Sequence, residues 1–110
     1  MLHSLANGYR AIVIGASGGI GGALLSLLQT DPRCALALPL SRSGGDLDIT
    51  DEASVAGAVS RLSDQRDSFD LVFNATGALT IDGVGPEKTI KAIDPSQMTK
   101  QFAVNSIGPA

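Results

Sequence analysis

The chain has 110 residues, of which 44% are hydrophobic, 17% charged and only 4% aromatic, with 13 glycines; this suits one domain built around small aliphatic side chains and excludes two. A net charge of −3, with no run of lysines or arginines that could neutralise a phosphate backbone, argues against nucleic acid as a partner. No apolar run approaches the ~18 residues of a membrane span, and residues 1–10 lack the charged start and long apolar stretch of a signal peptide, so the expected location is the cytoplasm.

In chain order, Ala11-Ile12-Val13-Ile14 is a continuous apolar run ended by Gly15, the pattern of a parallel strand buried on both faces. Beyond the glycines, Ile20, Ala23, Leu24, Leu27 and Leu28 recur at helical spacing, and Asp31-Pro32 ends that helix. A second strand is expected over 35–41, at a sheet edge because Pro39 lacks a ladder donor. The lone Cys34, in the apolar run beside it, reads as a buried structural thiol in a reducing compartment.

The gap between Arg42 and Asp48 is too short for a parallel crossover, so residues 46–49 are expected as an extended piece without a helix of its own. Thr50 or Asp51 then caps a helix with Val55, Ala58, Val59 and Leu62 on its apolar face and Arg61 and Arg66 near its end. The next strand is predicted over 69–75. A polar connection follows, broken by Gly83, Gly85 and Pro86, with a short helical turn over 87–92. Asp94-Pro95-Ser96-Gln97 has the composition of a capping box opening a last helix that runs to Asn105 or beyond. The alternation of strands and helices predicts an α/β fold with helices on both faces of a parallel sheet, which binds ligands beyond the carboxyl ends of its strands.

The stretch Gly15-Ala16-Ser17-Gly18-Gly19-Ile20-Gly21-Gly22 stands where the first strand hands over to the first helix. Glycines let the backbone turn tightly against a pyrophosphate, and the helix start offers unpaired N–H groups to that anion. No Gly-Lys-Ser/Thr follows, which excludes the loop of a P-loop hydrolase. A turn that only packs helix on strand is the competing reading.

With its glycines at the wide spacing Gly15-x-x-x-Gly19-x-Gly21, this turn resembles that of the short-chain dehydrogenase/reductase family. Three further segments are similar to the family's motifs in the same order: Asp48-Ile49-Thr50, Asn74-Ala75-Thr76-Gly77 and the asparagine of Val104-Asn105-Ser106-Ile107-Gly108. The second departs from the family's Asn-Asn-Ala-Gly at its middle two positions. Gly85-Pro86-Glu87-Lys88 and the short stretch after Arg42 resemble the C-factor-like members.

The resemblance implies a Rossmann-like, doubly wound parallel sheet occupying residues 1–110 as a single, incomplete domain, cut off after the asparagine helix. It places Gly15, Ser17, Gly19, Ile20 and Gly21 at the pyrophosphate, Asp48 and Ile49 at the adenine, and Asn74, Ala75 and Gly77 near the ribose. Asn74 would also tie neighbouring strand ends together. Asn105, three residues after Phe102 and seven after Met98, shares their helix face, turned toward the interior; the resemblance makes it a catalytic asparagine, and a structural amide bonded to backbone is the alternative. Arg42, following the second strand, would pair with a 2′-phosphate, which favours NADP(H) over NAD(H).

The family's serine and Tyr-x-x-x-Lys pair have no counterpart here, since Tyr9 is the only tyrosine and Val13 stands four residues after it. The expectation is therefore the cofactor-binding portion of an NAD(P)(H)-dependent oxidoreductase of carbonyls or alcohols. The chain alone would be inactive, its third strand would have an open edge, and homo-oligomer formation is left open. A non-catalytic dinucleotide-binding or signalling module is the rival. A methyltransferase is disfavoured by Ser41-Arg42-Ser43, where it would carry an acidic residue.

Overall fold

The structure is a computed structural model that describes residues 4–64, 68–78, 81–85 and 87–110. Arg66 and Pro86 lie outside the described residues. Three parallel strands, β1 (Tyr9–Ile14), β2 (Cys34–Leu40) and β3 (Leu71–Asn74), form one sheet in the order β2-β1-β3. Helix α1 (Gly19–Thr30) links β1 to β2, and α2 (Glu52–Ser63) leads from β2 to β3 on the opposite side of β1. The two crossovers run in opposite directions, so right-handed connections put their helices on opposite faces.

The alternation of β1 shows this directly. Ala11 and Val13 join Tyr9, Ala16 and Leu28 of α1 in one buried cluster, while Ile12 joins Leu40, Leu47 and Ala58 of α2 in the other. The doubly wound α/β reading thus holds. Pro39 faces Val13 across the β1–β2 pair, and β2 is an edge strand, where a residue without an N–H is tolerated. The other edge, β3, has no strand partner beyond it among the described residues, and Val72 there is exposed.

The inward face of α1 differs from the one the apolar spacing predicts. Ile20 is 81% and Leu27 55% exposed, whereas Gly21 and Leu28 are buried and Leu24 and Leu25 pack on the core. Gly21 sets this phase: a Cβ there would run into the Gly15 carbonyl, so the helix can lie this close to the turn only with Gly21 inward. Residues 24, 25 and 28 then follow at one-turn spacings. On α2, Ala58 is buried and Leu62 packs on the second cluster, but Val55 and Val59 of the predicted face are exposed.

Asp51, rather than Thr50, caps α2, its side chain accepting from the Ala53 N–H at 3.0 Å. Residues 46–49 form no strand; turns bonded to Ser41 carry the chain across, with Leu47 buried in the second cluster. The predicted turn over 87–92 shrinks to a 3-10 turn at Ile90–Ala92. Helix α3 (Pro95–Phe102) starts at Asp94, whose side chain accepts from Ser96 N–H, but Gln97 Oε1 is buried with no partner, so only half of the capping box forms. A single π turn, Ala103–Ile107, continues α3. Cys34 is half-buried, its thiol 3.3 Å from the Leu36 carbonyl. Among the described residues no helix is long and apolar enough to cross a membrane.

Candidate dinucleotide site

A cavity of about 250 Å³ opens beyond the carboxyl ends of the three strands. Ile14, Gly15, Ser17 and Gly18 line it from the β1–α1 turn, Arg42 and Leu47–Thr50 from the segment after β2, Ala75–Ala78 from the exit of β3, and Val104 from the π turn. Of the predicted site residues, the fold thus brings together Gly15, Ser17, Arg42, Asp48, Ile49, Ala75 and Gly77. Gly19, Ile20 and Gly21, in the first turn of α1, and Asn74 and Asn105 do not line it.

The β1–α1 turn is fixed by its glycines. Gly15 has φ +83°, and a Cβ on it would come within 2.8 Å of the Ala75 carbonyl oxygen. The turn is therefore pressed against the exit of β3, which closes two walls of the cavity on each other. Gly18 is the N-cap of α1 and offers no side-chain acceptor, and the first intrahelical bond is from Gly22 N–H to the Gly18 carbonyl. The N–H groups of Gly19, Ile20 and Gly21 consequently have no helical acceptor and carry the positive end of the helix dipole.

On the other two walls the sequence uses one device twice. Asp48 Oδ1 accepts from Thr50 N–H at 3.0 Å and Thr50 Oγ1 at 2.6 Å; Asn74 Oδ1 accepts from Thr76 N–H at 3.1 Å and Thr76 Oγ1 at 2.6 Å. Each Asx-x-Thr triplet folds its own turn. Asn74 Oδ1 is thus engaged within its own segment. The same pattern accounts for Thr76, a departure from the family motif that nonetheless lines the cavity beside Thr50. The repeated Asx-x-Thr spacing was the signal that could have marked both threonines.

Asp48 Oδ2 faces Arg42 Nε at 3.9 Å, and the Arg42 side chain is 81% exposed. The Thr50 hydroxyl and then its N–H hold the Asp48 carboxyl below the usual carboxylate range; burial opposes them, and Arg42 adds a lowering effect smaller than that of burial. The Arg42 guanidinium remains available to an anion at the cavity edge.

Asn105 is an exposed residue, whereas the shared face with Met98 and Phe102 predicts it turned inward. Its amide clamps the backbone of one residue on both sides: Oδ1 accepts from Ala78 N–H at 2.7 Å and Nδ2 donates to the Ala78 carbonyl at 2.9 Å. Nδ2 also donates to Gln101 Oε1 at 2.9 Å. The π turn is thereby tied to the exit of β3. A further tie, Lys100 Nζ to Asp82 Oδ2 at 2.9 Å, joins α3 to the turn at 81–84 and lowers the Asp82 pKa.

The chain superposes on a small-chain dehydrogenase with a TM-score of 0.72 and 24% identity, covering 91% of this chain and 42% of that one. It superposes on the carbonyl reductase Sniffer of Caenorhabditis elegans with a TM-score of 0.74 and 21% identity, covering 96% of this chain and 50% of that one. The fold is that of the short-chain dehydrogenases. No family model matches the sequence, and no curated protein matches it. The chain spans half or less of the length of the solved structures it resembles. What it shares with them is the α/β arrangement of parallel strands and flanking helices in which the cavity described above sits.

Proposed function

We propose that this chain is the cofactor-binding portion of a nicotinamide-dinucleotide-dependent oxidoreductase of carbonyls or alcohols, with NADP(H) favoured over NAD(H). The observation that carries the reading is the cavity beyond the strand ends, which joins a glycine turn, the uncapped start of α1 and an exposed arginine after β2. Two anionic groups of the dinucleotide find matching donors there. The pyrophosphate fits the Ser17 hydroxyl and the free N–H groups of Gly19, Ile20 and Gly21. The 2′-phosphate fits Arg42, whose Nε edge turned to Asp48 leaves its terminal amines for the anion. Asp48 and Ile49 then border the adenine, and Ala75 and Gly77 the ribose.

When bound, the nicotinamide would give or take hydride. The protein's part is to hold and orient it. Proton transfer to a substrate needs a general acid, and Tyr9 cannot serve: it is buried at the opposite end of β1 with its hydroxyl donating to Asp31 Oδ2 at 2.7 Å. The chain alone is therefore expected to bind without turnover.

Calorimetric titration with NADPH, NADH and S-adenosylmethionine tests the reading. NADPH should bind most tightly, and Arg42→Ala should weaken it about ten- to a hundredfold, the worth of a charge-assisted contact, while leaving NADH nearly unchanged. Tighter binding of NADH would remove the role of Arg42. Preference for S-adenosylmethionine would replace the dinucleotide reading with that of a methyltransferase.

A further inference from the structure

Gly108 closes the π turn, its N–H donating to the Ala103 carbonyl at 2.8 Å. It has an ordinary φ of −60°, so its backbone conformation does not call for glycine. Its surroundings do. A Cβ at this position would lie 2.9 Å from Ile49 Cγ1, 3.0 Å from Ile49 Cδ1 and 2.9 Å from the Ala103 carbonyl oxygen.

Ile49 is a shared wall. On one side it lines the dinucleotide cavity, and on the other a second cavity of about 390 Å³ that Gly108, Ala103, Ile107 and Val55 also border. Because Gly108 touches Ile49 from the second cavity, any group added there drives the isoleucine toward the first. The π turn is not free to retreat, since Asn105 within it is held by the backbone N–H and C=O of Ala78. Ile49 in turn sits between Asp48 and Thr50, which are bonded to each other, so its backbone is held and its side chain must absorb the displacement.

We infer that Gly108 is a positioning residue for the adenosine end of the site: by lacking a Cβ it lets the π turn seat against Ile49 and keeps that side chain at the cavity wall instead of inside it. The inference rests on the dinucleotide reading and adds to it a residue more than fifty positions away from the loop it controls. It also ascribes to the π turn a function in nucleotide binding, since the wide turn brings Val104 to the first cavity and Gly108 to Ile49 within five residues.

The test compares wild type, Gly108→Ala, Ile49→Ala and the double variant, using NADPH, NADH and 5′-AMP as ligands and thermal unfolding as the measure of folding. Gly108→Ala should weaken all three ligands by a similar factor of about ten, the cost of holding a side chain off its rotamer, because all three carry the adenosine. The ratio of NADPH to NADH affinity should not change, since Arg42 is untouched. Ile49→Ala removes both the Cγ1 and the Cδ1 that the new methyl would meet, so adding Gly108→Ala to the Ile49→Ala protein should cost little further affinity. A loss of folding alone would also weaken the three ligands equally, so the inference requires the weakening in Gly108→Ala protein that thermal unfolding shows to be folded at the titration temperature. Unchanged affinity in a folded Gly108→Ala protein would overturn the inference. Where Gly108→Ala fails to fold, the double variant decides: a folded double variant that binds as well as Ile49→Ala supports the role of Ile49, and a double variant that is unfolded or binds more weakly than Ile49→Ala assigns the effect to the Ala103 carbonyl and overturns it. If wild type binds none of the ligands, the dinucleotide reading has failed; wild-type binding with an unaffected variant defeats the role of Gly108 alone.

Discussion

Single residues of this chain are placed by polar contacts that can be followed one at a time, and Tyr9 gives the cleanest readout. It is the only tyrosine, and the chain has no tryptophan, so phenolate absorbance reports this side chain alone. Burial, and then the hydrogen bond to Asp31, raise its pKa above the ordinary value. A raised folded-state pKa contributes stability that is fully present below the unfolded value, near pH 10, and is lost as pH rises through the folded value. Alkaline titration should therefore show no phenolate near pH 10, and ionisation should coincide with unfolding. Independent ionisation at the ordinary pH, with the fold intact, would show the hydroxyl to be solvated. Asp48 runs in the opposite direction: its carboxyl, held low by Thr50, contributes stability above the ordinary carboxylate pKa that disappears as pH falls through the lowered one. Thr50→Val should move that acid limb of the stability profile upward in pH.

At the level of elements, the glycines do more than permit turns. Gly21 rotates α1 by one position relative to the face its leucines and isoleucine alone imply, and Leu28 ends fully buried as a result. Leu28→Ala should cost about 2–5 kcal/mol in denaturant unfolding, as cavity-forming changes in a core do, while Leu27→Ala should cost well under 1 kcal/mol because its side chain is half exposed. Equal costs at the two positions would contradict the observed phase. This is where the sequence misleads for a physical reason: hydrophobic periodicity ranks side chains by transfer energy, and at α1 the contact of backbone against backbone decides instead. The local devices were legible, as Asp51 and Asp94 show by capping the helices they precede. So was the strand, turn and helix of residues 9–30, whose glycines and apolar run carry their own geometry. The contacts of Asn105 with Ala78 and of Gly108 with Ile49 were not, because they join segments 27 and 59 positions apart that no local pattern relates.

In the whole molecule, the walls of the cavity come from four separate segments of the chain, and each is braced by a neighbour: Gly15 by Ala75, Asp48 by Thr50, Ala78 by Asn105 and Ile49 by Gly108. Apolar side chains beyond the small sheet, including Ile90, Phe102 and Ile107, remain exposed, as does Val72 on β3. The radius of gyration of 16.3 Å exceeds the ~13 Å of a compact domain of about 100 residues, in keeping with a three-stranded sheet that has open edges. The proposed nucleotide site lies beyond the carboxyl ends of the three strands. Its most direct test is a map of backbone amide shifts on adding NADPH to the isotopically labelled chain. Shifts concentrated at Gly15, Ser17–Gly21, Arg42, Asp48–Thr50 and Ala75–Ala78 are the predicted result, and binding that leaves these amides unmoved while shifting others would contradict the assignment of the site.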